Sequence, residues 1–333
     1  MESPINNSKL MLNILLLDTS IGSFNKGDDI IMECTRKELS FLLNGNYELT
    51  LPTHVSPFHW YQVARNSLYV QTFKDCKYKF VGGSNLLIPQ LLTHFPQWNI
   101  NVFNYQPMKG SILVGVGAGQ GAEGPINCYT RYIYTHLLNT DFFHSVRDER
   151  SKKYLERLGL KAINTGCVTM WLLTPEFCRL IPTHKADKVV FTLTYGPKID
   201  ERDQELINIL CNNYKYVYFW PQGYMDLNYL SRFKGTDSII ILQASKDAYD
   251  EYLTNNDTDY VGTRLHGGIY AMRHKRRAII ISIDERARAI NEKNHLNCIE
   301  KNDIHNLEGM INSSFSTSVS MDFGAINDWK SQF

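Results

Sequence analysis

Charge of one sign, paired cysteines and long apolar runs are all missing from this chain. Lys plus Arg number 35 against 34 Asp plus Glu, and that balance removes the electrostatic case for nucleic acid as a partner, because such binders carry a clear basic excess. The seven cysteines, at 34, 76, 128, 167, 178, 211 and 298, form no C-x-x-C pair and no His/Cys cluster. An odd, scattered set suits reduced thiols, which points to the cytoplasm and away from structural zinc. No segment reaches the roughly 20 apolar residues that span a bilayer. The opening "MESPINNSKL" lacks the basic and apolar regions of a signal peptide. Also missing are G-x-S-x-G, a P-loop, H-E-x-x-H and paired metal-ligand patterns, which disfavours a serine hydrolase, a P-loop kinase and a zinc enzyme. The expectation is a chain with no metal and no cofactor.

What the chain does have is length and alternation. At 333 residues it exceeds the roughly 250–300 at which a single core stops growing, so two domains are expected. Its 19 Tyr, 16 Phe and 5 Trp fit thick cores, and also sugar-stacking surfaces. Short β-branched or aliphatic runs alternate with amphipathic stretches, the pattern of an α/β protein with parallel sheets. Strands are predicted at 13–17, 79–81, 111–116, 142–146 and 162–165, then at 189–194, 217–220, 238–242, 260–263 and 278–283. Helices are predicted at 28–43, 129–138, 149–158, 203–211, 246–252 and 267–273. The proline-bearing stretch 174–188 reads as a boundary. It gives an N-terminal Rossmann-like domain over 11–175, a C-terminal one over 186–310, and a helix or tail over 311–333, with the two domains facing across a cleft.

In open parallel sheets ligands gather at the carboxyl ends of strands, where helix N-termini offer N–H groups. Four stretches occupy such places. "D-T-S-I-G-S-F-N-K-G-D-D" (18–29) follows the first strand, with Asn25 and Asp28 as caps and Gly27 in the turn. "G-V-G-A-G-Q-G-A-E-G" (115–124) satisfies G-x-G-x-x-G, yet Glu123 would face a pyrophosphate and Pro125 interrupts the turn, so it reads as a flexible loop and not a dinucleotide site. In "V-R-D-E-R-S", Arg147 is either a fork for an anion or half of an ion pair with Asp148 and Glu149. The strongest signal is "G-T-R-L-H-G-G-I-Y-A-M" (262–272). Arg264 and His266 leave a strand, Gly267 and Gly268 would let a ligand approach the backbone, and a helix from Ile269 aims its dipole at the same place. Such a site holds an anion and offers a titratable proton near pH 7. The cluster Arg273–Arg277 reads as a solvated helix end. Glu292 and Glu300 match the E-x₇-E spacing of nucleotide-sugar glycosyltransferases in the wrong context.

Taken in order from about residue 13 to 290, "F-N-K-G-D-D", "V-R-D-E-R-S-K-K-Y-L-E-R-L-G", "N-T-G-C-V-T-M-W" and "G-T-R-L-H-G-G-I-Y-A-M" resemble the polysaccharide pyruvyl transferases. The resemblance implies a fold similar to GT-B glycosyltransferases. It also implies transfer of pyruvate from phosphoenolpyruvate onto two hydroxyls of a sugar, as a ketal, in capsule or exopolysaccharide synthesis. Arg264, Leu265, His266 and Gly267 match the family's R-L-H-G element at the phosphoenolpyruvate site, with His266 and Arg264 catalytic. Arg147 matches the R-D element as a substrate contact, and Asn25, Gly27 and Asp28 match the N-x-G-D turn. The chain departs from the family at Cys167-Val168-Thr169, where many members read D-P or C-P-T, and at Asp284-Glu285-Arg286, which replaces a lysine-bearing loop. The implied acceptor is a sugar or a lipid-linked sugar, and the latter would bring the protein to a membrane surface. Two readings stay open beside it: a GT-B-type glycosyltransferase using a nucleotide sugar, and a non-catalytic sugar-binding protein of the same pathway.

Overall fold

The computed structural model describes residues 11–93, 97–283, 290 and 293–333, so Asp284, Glu285, Arg286 and Glu292 lie outside the described residues. Strands β1 (Asn13–Asp18), β2 (Tyr47–Pro52), β3 (Tyr78–Gly82), β4 (Ile112–Val114), β5 (His144–Val146) and β6 (Ala162–Asn164) fall in the first half. The second half holds β7 (Lys188–Thr192), β8 (Tyr216–Phe219), β9 (Ile240–Ile241), β10 (Asp259–Gly262), β11 (Ala278–Ser282) and β12 (Cys298–Glu300). Every pairing among these strands is parallel. Most of the strands read from sequence, β1, β3, β4, β5, β7, β10 and β11, are buried along nearly their whole length, which favours continuously apolar residues. β9 is read instead from an exposed isoleucine pair. β2 escapes that signal because it is a half-exposed strand, Y-E-L-T-L-P, at the end of its sheet. β12 has three residues, none fully buried. The helix expected over 28–43 is two, Gly27–Glu38 and Ser40–Leu43, broken at Leu39 with φ −94° and ψ 5°. Among the described residues no helix is long and apolar enough to cross a membrane.

The chain divides into two compact units. One holds the residues up to Gly22, Met32–Val168 and Gly324–Phe333. Its sheet runs β2-β1-β3-β4, with β5-β6 as a separate pair joined to the loop after β4 by a bridge from Val116 to Val146. Leu15, Leu17, Val81 and Leu113 form its core with Ile133, Tyr134 and Leu155 from the helices Cys128–Leu137 and Glu149–Glu156. The segment expected as one helix or tail over 311–333 is shared: residues to Phe323 belong with the second unit and Gly324–Phe333 with the first. There Trp329 is fully buried and its Nε1 donates to the Phe143 carbonyl at 2.8 Å, while Lys330 Nζ meets Glu38 Oε2 at 2.7 Å.

The other unit holds Ser23–Ile31 and Thr169–Phe323. Its sheet order is β12-β11-β10-β7-β8-β9. From β7 the chain builds outward through β8 and β9, then returns to lay β10 against β7 and builds the other way. That reversal makes the carboxyl ends of β7 and β10 the topological switch point, where an open parallel sheet forms its ligand crevice.

Candidate functional site

Arg264 stands at that switch point. β10 ends at Gly262, where a Cβ would collide with Thr192 of β7, so glycine is needed for the two strands to lie this close. Beyond it the hydroxyls of Thr194 and Thr263 meet at 2.9 Å. Tyr260 fixes the exit, its hydroxyl donating to the Arg264 carbonyl at 2.7 Å and lying 2.7 Å from the Thr192 hydroxyl. Arg264 is the N-cap of the helix Leu265–Arg273, and its side chain makes no capping bond. Its guanidinium instead forks onto Asp226, with Nε 3.1 Å from Oδ2 and Nη2 2.5 Å from Oδ1. The Asp226 side chain has no exposure, and it also accepts from the backbone N–H groups of Gly223 at 2.7 Å and Tyr195 at 3.1 Å. One edge of the guanidinium, Nε–H and Nη2–H, is thus spent on an internal carboxylate, whereas Nη1 makes no bond among the described residues and the side chain keeps 19% exposure. Such an arginine is oriented before any ligand arrives, at the cost of part of its charge.

His266 lies in the first turn of the same helix, half-buried. The helix begins at Leu265, earlier than expected, so Gly267 and Gly268 are helical. Their lack of a side chain leaves room for packing: a Cβ on Gly268 would sit 2.8 Å from Ile280 Cγ1 and Tyr260 Cε1, and one on Gly267 would sit 3.0 Å from Gln222 Oε1. Leu265 is buried.

The turn at 23–28 belongs to this unit and locks onto the loop after β8. Lys26 N–H donates to the Gln222 carbonyl at 2.8 Å. The Asn25 side-chain oxygen accepts from Gln222 Nε2 at 2.9 Å and from Gly27 N–H at 3.0 Å. Asn25 and Gly223 form an antiparallel bridge, and the Ser23 hydroxyl donates to Asp28 at 2.5 Å. A Cβ on Gly27 would come within 3.3 Å of His266 Nδ1. Asn25 and Asp28 are therefore fasteners of the turn, and Gly27 is what lets the turn sit beside the histidine. Gln222 is 2% exposed, and its Oε1 has no partner among the described residues.

Arg147 belongs to the first unit. Its side chain is 7% exposed; it lies across Gly117, donates to Asn85 Oδ1, and reaches Asp148 at 3.4 Å. Asp148 is taken up in capping its helix, accepting from Ser151 N–H at 2.7 Å and the Ser151 hydroxyl at 2.6 Å. Nor is the glycine stretch 115–124 an open loop. Gly117 N–H donates to Ser84 O at 2.8 Å, Gly119 N–H to Leu87 O at 2.7 Å and Ala118 N–H to the Ser151 hydroxyl at 2.7 Å. The cationic run after the helix also departs from the expectation of a solvated end. Arg277 is 1% exposed, pairs with Asp259 at 2.6 Å, and donates to the carbonyls of Ile311 and Ser313.

Sequence reasoning missed Asp226 and Gln222. Their signal was "P-Q-G-Y-M-D", a glycine turn with an acid just after β8, at the same edge of the sheet as Arg264.

The sequence profile described as polysaccharide pyruvyl transferase matches residues 25–285. Comparison with curated proteins finds no match. Among solved structures the chain is similar to S. aureus MnaA in its co-structure with UDP, with a TM-score of 0.50, 9% identity, and coverage of 95% of this chain and 94% of that one. It is similar to a UDP-N-acetylglucosamine 2-epimerase as well, with a TM-score of 0.50, 11% identity and coverage of 97% and 95%. At these identities the likeness is one of fold, a GT-B-like α/β architecture.

Proposed function

Because the chain belongs to the polysaccharide pyruvyl transferase family, and so is a transferase, we propose that it moves pyruvate from phosphoenolpyruvate onto two hydroxyls of a sugar in a cell-surface polysaccharide or its precursor. The observation that carries this reading is Arg264, pre-oriented by Asp226 at the switch point of the second sheet and two residues before His266 at a helix N-terminus. Phosphoenolpyruvate presents a carboxylate and a phosphate, and both suit an arginine edge and a helix N-terminus. One acceptor hydroxyl adds to C2 and gives up its proton while a proton enters the methylene carbon. The second hydroxyl then displaces phosphate at C2, its proton leaving with the phosphate, and closes the ketal. His266 is the proton-transfer group, Arg264 the anion clamp, and the N–H groups of the first helical turn hold the departing phosphate. Arg147 keeps its assignment as a substrate contact through its match to the family's R-D element. No cofactor enters this balance.

The test is thermal denaturation with phosphoenolpyruvate and, separately, with a panel of UDP-sugars. A ligand at about 100 times its dissociation constant stabilises by about 2.7 kcal/mol. Stabilisation by phosphoenolpyruvate that disappears in Arg264→Ala is the expected result. Stabilisation by a UDP-sugar alone moves the reading to glycosyl transfer.

A further inference from the structure

Phe24 and Tyr224 are 79% and 76% exposed, the two most exposed aromatic rings among the described residues. They are also neighbours, with centroids 5.7 Å apart and planes tilted at 44°. Ordinary surface rings are scattered and sit on backbone that gains little from holding them. These two are mounted on a locked frame: Tyr224 N–H donates to the Phe24 carbonyl at 2.9 Å, and the adjoining residues Asn25 and Gly223 form an antiparallel bridge. Rigid backbone that presents apolar rings to water is the signature of a binding surface. The frame is the one that carries the anion site, since a Cβ on Gly223 would run into Arg264 Nη2 and one on Gly27 would approach His266 Nδ1 to 3.3 Å.

We infer that Phe24 and Tyr224 are a stacking platform for one pyranose ring of the acceptor. This rests on the transferase reading above, which supplies a sugar as the second substrate. The geometry selects the ligand's shape. Rings in van der Waals contact with both faces of a planar base stand about 7 Å apart, so a pair at 5.7 Å does not sandwich one. A tilted pair offers a shallow V whose apolar faces meet the C–H face of a chair-shaped sugar, leaving its hydroxyls directed to solvent and to the anion site alongside.

The experiment is saturation-transfer NMR on the full chain with four probes: methyl β-galactopyranoside, methyl β-glucopyranoside, methyl α-mannopyranoside and methyl N-acetyl-β-glucosaminide. At least one should receive saturation, strongest on the ring C–H protons of one face. In Phe24→Ala or Tyr224→Ala its dissociation constant should rise about three- to tenfold, the worth of one aromatic contact, and Tyr224→Phe should keep the parent value. Phosphoenolpyruvate should shift the melting temperature equally in the parent and all three variants. No saturation of any of the four, saturation spread evenly over both faces, or affinity unchanged in both alanine variants overturns the platform. Failure of the donor reading shows up separately, as loss of the phosphoenolpyruvate shift with the sugar signal intact.

Discussion

At the scale of single residues, Arg264 and Asp226 form a unit whose two halves fail differently when changed. Asp226→Asn keeps the shape but removes the charge, leaving a guanidinium at 19% exposure without its carboxylate. Breaking a buried pair from one side costs about 3 kcal/mol at the low end of the usual range. The expected outcome is a stability loss of that order in urea denaturation, with a raised Michaelis constant for phosphoenolpyruvate because the arginine is no longer aimed. Arg264→Lys should raise the same constant while turnover falls less, since charge survives and the planar fork does not. His266→Gln is the complementary case. Glutamine fills similar space but shuttles no proton near pH 7, so turnover should fall by about 10²–10⁴-fold, with donor affinity and melting temperature near the parent's. A variant that keeps most of its turnover removes His266 from proton transfer. Arg264 and His266 were legible in sequence because a strand exit, two glycines and a helix follow one another within a dozen residues. Asp226 was not, because it reaches Arg264 across 38 positions of chain, and no local pattern encodes that meeting.

At the scale of elements, β5 carries a titratable group where none is needed for catalysis. His144 is fully buried, its Nδ1 accepting from Leu113 N–H at 3.2 Å and its Nε2–H donating to the Asn139 carbonyl at 2.9 Å. The neutral ring thus holds β5 to β4 by satisfying one donor and one acceptor of the backbone. Burial pushes its pKa down to about 4, against the weaker opposing pull of the Asn139 carbonyl. In the unfolded chain the ring protonates near 6.5, so between pH 6.5 and 4 the unfolded state binds more protons and stability falls as pH falls. The stabilising contribution is complete above about pH 6.5 and gone below about pH 4, a difference of about 3 kcal/mol. Equilibrium denaturation across this window should show that slope, and His144→Gln should flatten it. An unchanged slope in the variant would assign the acid sensitivity elsewhere. Sequence periodicity found β5 but not this role, because a histidine in an apolar run carries no mark of which backbone groups it will meet. The same limit hid the purpose of Gly268, which is the room it leaves for Ile280 and Tyr260. Gly268→Ala should lower stability by about 1–3 kcal/mol, the cost of overpacking, readable as a drop in melting temperature.

At the scale of the whole molecule, the α/β class and parallel sheets were legible because strands covered on both faces must be apolar throughout. The path of the chain through its units was not. Ser23–Ile31 belongs with the second unit and Gly324–Phe333 with the first. Neither exchange alters local periodicity, so neither leaves a trace that a reading along the chain would catch. The C-terminal return does make a prediction. Trp329 is fully buried, bonds the Phe143 carbonyl, and stands edge-on to Phe80 and Phe333 with centroids 6.3 and 5.1 Å away. Phe80 is a buried residue of β3, at the centre of the first sheet. If the last helix is an integral layer of that unit, Trp329→Ala should cost about 3–5 kcal/mol, the range for deleting a large aromatic side chain from a core. If it is a loose tail, the change should stay within the roughly 0.5 kcal/mol typical of surface positions. Denaturation of the parent and the variant, followed by amide exchange on β1 and β3, separates the two. The integral layer requires faster exchange on those strands with β7 and β10 unaffected, and equal protection of β1 and β3 in both proteins would return the segment to the status of a tail.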